Sequence, residues 1–400
     1  MKGQQKKKAV PVLVVLILIV LIGAAGIGSF LMNRYKPGTE YMSGMEYFNL
    51  TDENSVALIQ NGALLDQQAV LIGGEPYAAY TYVESRLNSC FYWDEETNGI
   101  LLTTTDGVQT LLPGDTAVCK TPGGQPAVQQ ESDGTIYLSL DVVKAYTDFD
   151  YAYYSNPCRV VIRNEWDGMQ QATVEADTAQ VRQKGGIKSL ILTDVQKGDT
   201  LLYLENLDNW CKVMTEDGYT GYIRTEDISA PQNVEARTAQ KDSYERITRD
   251  HKINLVWHQS TSTESNDAMT EMTAEMTGVN VISPTWFSVT DETGTISSLA
   301  SADYVQKAHE AGREVWGLID NFNEAFDETT DLAFASVRRK IIEQLLAEAA
   351  LCGMDGINVD FENLKEAGIP HYLQFLRELT SAAHAQNLVV SVDTPVPQSY

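Results

Sequence analysis

The longest apolar stretch runs uncharged from Val10 to Met32, and its 23 residues reach about 35 Å as a helix, enough to cross a bilayer core of roughly 30 Å. Lys2, Lys6, Lys7 and Lys8 precede it. The pattern predicts a transmembrane anchor at 10–32 behind a cytoplasmic basic tail at 1–9, which places everything after Arg34 outside the cell by the positive-inside rule. The rival is a cleavable signal peptide, whose apolar region usually spans about 7–15 residues; Ala24-Ala25-Gly26 offers it a cut site. A polar spacer is expected at 33–59, followed at 60–165 by short strands and helices. A faint echo lies within that segment. Tyr82-Val83-Glu84, Tyr92-Trp93-Asp94 and Gly99-Ile100-Leu101-Leu102 recur in outline as Val142-Val143-Lys144, Tyr151-Ala152-Tyr153 and Arg159-Val160-Val161-Ile162. From 172 to 228, apolar and polar residues alternate in runs broken at Lys184-Gly185-Gly186, Lys197-Gly198-Asp199 and Asp217-Gly218, as in a small barrel of tight hairpins. A polar linker is expected at 229–252.

Beyond it, strand-like runs at Ile253–Trp257, Val279–Ile282, Glu314–Ile319, Ile357–Phe361 and Leu388–Asp393 alternate with amphipathic stretches. One helix is expected at Ala302–Ala311. A second aligns Val337, Ile341, Ile342, Leu345, Leu346 and Ala349, and a third Leu373, Leu376, Leu379 and Ala383. This alternation predicts a parallel α/β sheet, and its polar or aromatic strand ends (Trp257-His258, Ser283-Pro284-Thr285-Trp286, Asp320-Asn321, Glu362, Asp393) suit the catalytic rim of a (β/α)8 barrel. An open doubly wound sheet is the alternative, without a Gly-rich phosphate loop to support it.

Charge narrows the partners. The chain carries 29 Lys and Arg against 55 Asp and Glu, a net of −26. Six of the basic residues and no acid lie in the first 36 positions, so the remainder has 23 against 55, a net of −32. A body that negative repels phosphate backbones and excludes nucleic acid as a partner. Five cysteines without CxxC spacing and five histidines without a metal-ligand pattern predict no metal site and no cofactor. An exported location permits a disulfide, most plausibly among Cys90, Cys119 and Cys158.

The chemistry concentrates in Asp355-Gly356-Ile357-Asn358-Val359-Asp360-Phe361-Glu362. Strand alternation sends Ile357, Val359 and Phe361 to one face, toward helices, and Asn358, Asp360 and Glu362 to the other. Two carboxylates two residues apart on one face crowd each other, so ionising one raises the pKa of the other. A carboxyl that keeps its proton near neutrality can protonate a leaving oxygen.

Three resemblances follow from these residues. Leu71-Ile72-Gly73-Gly74-Glu75-Pro76-Tyr77 leading into Trp93-Asp94 resembles the N-terminal domain of copper amine oxidases, a non-catalytic module that carries no metal site. Trp210-Cys211-Lys212-Val213 with Asp217-Gly218-Tyr219-Thr220-Gly221-Tyr222-Ile223 resembles the bacterial SH3-like module of cell-wall enzymes; Trp210, Tyr219 and Tyr222 either stack on a wall ligand or fill the core. The octet is similar to the signature of family 18 glycoside hydrolases on the fourth barrel strand, and the likeness runs from about Ile253 to Tyr400.

The last resemblance implies Glu362 as acid/base, Asp360 orienting the substrate's acetamido group, and Asp355 supporting them, with the acetamido oxygen as nucleophile. Asn358 stands where that family usually has Asp. Trp257, Trp286, Asp320 and Asp393 are the expected substrate contacts. The expected fold class is therefore multidomain: an N-terminal transmembrane helix, an α+β module, a small SH3-like β-barrel, and a (β/α)8 TIM-type barrel at 253–400, expected to be truncated after strand 5. The implied function is a membrane-anchored extracellular glycosidase cleaving β-linked N-acetylglucosamine in peptidoglycan or chitin-like glycans, spore and wall glycans among them. The alternative is a non-catalytic glycan-binding or wall-scaffolding protein.

Overall fold

Local sequence signals build most of the elements of the computed structural model, which describes residues 9–52, 55–235 and 247–394. The tail lysines Lys2, Lys6, Lys7 and Lys8 and linker residues 236–246 lie outside the described residues. The apolar run forms one helix, Ala9–Tyr35. Its part from Val14 to Tyr35 is long and apolar enough to cross a membrane, as a signal sequence also can be. The chain divides into two units, one joining Met1–Leu71 to Asp148–Ala239 and the other joining Ile72–Thr147 to Gln240–Tyr400.

In the first unit, strand Ala57–Gln60 pairs in parallel with Cys158–Arg163, which forms an antiparallel hairpin with Asp150–Ser155. Segment 170–233 folds into an antiparallel seven-stranded sheet in the order 191–196, 178–182, 220–224, 210–214, 200–207, 170–173, 232–233. Val181, Leu192, Val213 and Ile223 fill its core. Gly221 is required where strand Thr220–Arg224 passes Thr178–Arg182, because a Cβ there would lie 2.5 Å from the Arg182 carbonyl oxygen. Of the three aromatic residues left between core and ligand stacking, Tyr219 is core. Its ring packs 4.8 Å from Phe48 and 5.4 Å from the guanidinium of buried Arg159, which pairs with Asp217 at 2.7 Å. Trp210 and Tyr222 are half-buried.

In the second unit, five strands form a parallel sheet: β1 (Leu255–His258), β2 (Val281–Val289), β3 (Glu314–Asp320), β4 (Gly356–Asp360) and β5 (Val389–Val392). Their spatial order is 1-2-3-4-5. The order never reverses, so the sheet lacks the switch point of a doubly wound fold. β1 and β5 are its edges among the described residues. Helix α1 (Ala302–Glu310) follows β2, α2 (Ala335–Cys352) follows β3, and α3 (Ile369–His384) follows β4. Ser301 caps α1 by accepting the Tyr304 amide, Gly353 ends α2 in the left-handed conformation at φ 74°, and Pro370 opens α3. Ile341, Leu345, Phe375 and Leu379 pack on Ile357, Val359 and Phe361, the face assigned to helices by alternation.

β2 is longer than expected and differs in kind from a polar rim. Its register against β3 steps from Thr285 opposite Leu318 to Phe287 opposite Ile319, leaving Trp286 as an extra residue in a bulge. Pro284, which cannot donate to the ladder, sits just before it.

The same unit holds an antiparallel meander, Phe91–Asp94, Gly99–Thr104 and Gly107–Leu111, and a second small sheet that includes Glu75–Ala79 and Ile136–Ser139. The meander meets α2 and α3 through polar contacts: the Tyr92 hydroxyl with His371 Nδ1 at 2.6 Å, and Gln374 donating to Thr103 at 2.9 Å. Arg338 is completely buried between Asp94 and Glu378, each at 3.1 Å. Both halves of the sequence echo are helix–hairpin elements, Tyr80–Thr104 in the second unit and Leu140–Arg163 spanning the boundary between units. All five cysteines are free thiols, which corrects the disulfide expectation for Cys90, Cys119 and Cys158.

Candidate active site

The parallel register stacks side chains from neighbouring strands in levels. Asp320 of β3 lies opposite Asp360 of β4, and the Asp393 amide, just past β5, donates to the carbonyl of Val359. Three carboxylates therefore form a row across adjacent strands spaced by about 4.8 Å. Ser288 of β2 continues the row and donates to Asp320 at 2.7 Å. One level below stand Leu318, Asn358 and Ser391. Glu362 rises one step above Asp360 on the same face. The levels open into a cleft of about 880 Å³ whose lining includes Trp257, Thr285, Asp360, Glu362 and Asp393. Among the described residues its ionisable lining is wholly acidic.

Asn358, one level below the row, has defined partners. Asn358 is buried, donates from Nδ2 to Asp393 at 2.8 Å, and accepts the Ser391 hydroxyl at 2.5 Å. An aspartate here would need a proton to make the first bond, so the amide stabilises the Asp393 carboxylate without adding a charge. Asp360 makes no side-chain hydrogen bond to the described residues. Burial, then the charges of Asp393, Glu362 and Asp320, push its pKa above the ordinary carboxylate value. The crowding foreseen in the octet thus falls on Asp360. Tyr372 of α3 stacks on Phe361 at 5.7 Å, and its buried hydroxyl is pushed up to about 12 by burial, with Asp360 and Asp393 adding to the shift.

The sign of the Asp360 shift sets a pH dependence. Below about pH 3.8 the carboxyl is protonated folded and unfolded, and ionising it costs the fold nothing extra. As pH rises through the unfolded and then the raised folded pKa, the native state holds protons more tightly than the unfolded chain, so stability falls. Asp360→Asn is therefore expected to raise the melting temperature of the second unit at pH 7, and the gain should vanish near pH 3. Equal stabilisation at both pH values in thermal scans would contradict this.

The other expected site residues separate into two groups. Trp257 reaches the cleft and is 59% exposed, and Asp320 and Asp393 belong to the row. Trp286 does not reach it: the bulge turns it into the core, where it packs 5.0 Å from Tyr304 and donates to Asn266 at 2.9 Å. Asp355 precedes β4 at the far end of the strand, about 16 Å of extended chain from Asp360. There it accepts the Val315 amide and contacts His309 Nε2, both at 2.8 Å, so it ties β3, β4 and α1 together without touching the cleft. Ser288 and Ser391 are site residues that the sequence pattern does not single out, and Asn321 enters it only as the second polar residue of the Asp320-Asn321 strand end.

A family model for the bacterial SH3 domain matches residues 177–229, inside the antiparallel sheet of the first unit. No curated protein matches the chain. Among solved structures the chain is similar to a chitinase from Chromobacterium violaceum ATCC 12472, at 20% identity and TM-score 0.30, covering 35% of this chain and 44% of that one. It is also similar to the spore cortex-lytic enzyme SleL of Bacillus cereus, at 20% identity and TM-score 0.31, covering 35% and 34%. For SleL of Bacillus megaterium QM B1551 the values are 17%, 0.29, 36% and 35%. The chain thus spans less than half the length of these proteins.

Proposed function

We propose that this protein is a glycoside hydrolase that cleaves β-linked N-acetylglucosamine in peptidoglycan or a chitin-like glycan. The observation that carries the reading is the carboxylate row at the carboxyl end of a parallel sheet, with Asp360 raised in pKa directly below Glu362. Glu362 gives its proton to the glycosidic oxygen as the bond from that oxygen to the anomeric carbon breaks. The acetamido oxygen of the same sugar bonds to the anomeric carbon, and Asp360 orients the acetamide by accepting its N–H. Glu362, now ionised, takes a proton from the water that opens the cyclic intermediate. Trp257 offers an exposed ring to a sugar face. Asp355 serves as a remote tie that fixes the start of β4.

The test is release of reducing ends by the full-length protein from chitin oligomers, purified peptidoglycan and their de-N-acetylated forms. Cleavage confined to N-acetylated glycans supports the reading. Binding of the oligomers without cleavage would replace it with a glycan-binding role, and equal cleavage of de-N-acetylated glycan would remove the assisting acetamide.

The placement we propose is a single-pass membrane anchor with the lysine tail cytoplasmic and both units outside, where the SH3 segment holds wall material. A reporter fused after residue 40 is then expected to be active only outside the cytoplasm, with the protein in the membrane fraction. A soluble form beginning near Gly26 would instead identify the helix as a signal sequence.

A further inference from the structure

β4 ends at Asp360, yet both main-chain groups of Glu362, two residues beyond, are hydrogen-bonded. The Asn321 side chain holds them. Its Oδ1 accepts the Glu362 amide N–H at 2.9 Å, and its Nδ2 donates to the Glu362 carbonyl at 3.0 Å. A carboxamide has the donor and acceptor of one peptide group, so Asn321 takes the place of the missing next residue of β3 and extends the β3–β4 ladder by one rung. The second Nδ2 hydrogen points to buried Glu328, 3.3 Å away, which fixes the orientation of the amide. Chain geometry on both sides makes the rung local. The Phe322 amide turns back to the Asp320 carboxylate at 3.1 Å, and Asn363 adopts the left-handed conformation at φ 58°. Glu362 is therefore pinned between the strand end and a sharp turn.

We propose that Asn321 is the positioning residue that fixes the main chain of Glu362, and through it the carboxyl, over the cleft; its catalytic consequence rests on the glycosidase reading. An Asn321→Ala chain loses both contacts to Glu362 and leaves its amide and carbonyl to solvent. Displacing a reacting group by about 1 Å can cost on the order of 10²-fold in rate.

Two readouts separate the clamp from the chemistry. In hydrogen exchange of the full-length protein, the Glu362 amide should exchange at least tenfold faster in Asn321→Ala than in the parent. In hydrolysis of chitin oligomers, kcat should fall by about 10- to 100-fold with KM within about twofold. Asn321→Asp keeps the acceptor but adds a negative charge beside Glu362, so it should shift the basic limb of the kcat profile to higher pH. A role limited to folding would not move that limb. Unchanged exchange at Glu362 overturns the inference whether or not the protein cleaves glycans, and so does parental kcat in Asn321→Ala. Faster exchange in a variant of a protein that cleaves no glycan upholds the clamp and removes only the glycosidase reading.

Discussion

Glu362→Gln is expected to lower turnover on N-acetylated glycan by about 10²–10⁴-fold or more while leaving affinity nearly intact. The amide occupies the same volume, and the two main-chain contacts to Asn321 do not involve the side chain, so the strand end stays in register. What disappears is the group that, in the proposed reaction, moves a proton to the leaving oxygen and then takes one from water. Asp360→Asn should also slow the reaction, because its oxygen no longer carries the charge that orients the acetamide. The pair gives a diagnostic contrast, since Asp360→Asn is expected to gain stability at pH 7 while losing rate. A thiazoline mimic of the cyclised intermediate should inhibit the parent strongly. Unchanged hydrolysis by Glu362→Gln would eliminate the proposed chemistry.

The largest stability effect should come from a residue remote from the cleft. Arg338 lies fully buried, with its guanidinium 5.0 Å from the centre of the Tyr92 ring. It donates to Asp94, to Glu378, and to the carbonyls of Leu332 and Ala333 at 2.7 and 3.0 Å. Arg338→Met keeps much of the apolar volume but leaves two buried acids without their cation, a loss of about 3–5 kcal/mol. For a domain of this size that corresponds to roughly 10 °C in the melting temperature of the second unit. Burial already raises the pKa of Glu378, and Arg338 opposes that shift. The variant should accordingly be less impaired at low pH, where the acids are neutral. Adding Asp94→Asn and Glu378→Gln to Arg338→Met should recover most of the loss. A loss below about 1 kcal/mol in denaturant titration at pH 7 would show that the cluster contributes little.

The features legible in the sequence are those encoded by local period. The five strands and three helices of the parallel sheet were expected close to where they lie, because alternation and the 3.6-residue stripe report burial directly. The face assignment of Asn358, Asp360 and Glu362 rests on the same alternation. Trp286 misled because a bulge adds one residue to the count, and nothing in Ser283-Pro284-Thr285-Trp286 except the proline announces it. Asp355 was grouped with Asp360 through shared membership in a motif, although strand rise alone separates them. The Arg338 cluster was not legible at all, since Asp94 and Arg338 are 244 positions apart and no periodicity links them. Asn321 required knowing that a side chain completes a ladder.

The interleaved connectivity of the two units has a consequence for biosynthesis. Strand Ala57–Gln60 leaves the ribosome before its parallel partner Cys158–Arg163, and Asp94 emerges before Arg338. At about 5–20 residues per second the second wait lasts on the order of 10–50 s. The meander therefore spends its early life with an unpaired acid and an uncovered face, while the first unit has all of its described strands once Asn233 has emerged. The order of completion is set by where each unit's last described segment falls in the chain: the SH3-bearing unit closes before the carboxylate cleft is assembled.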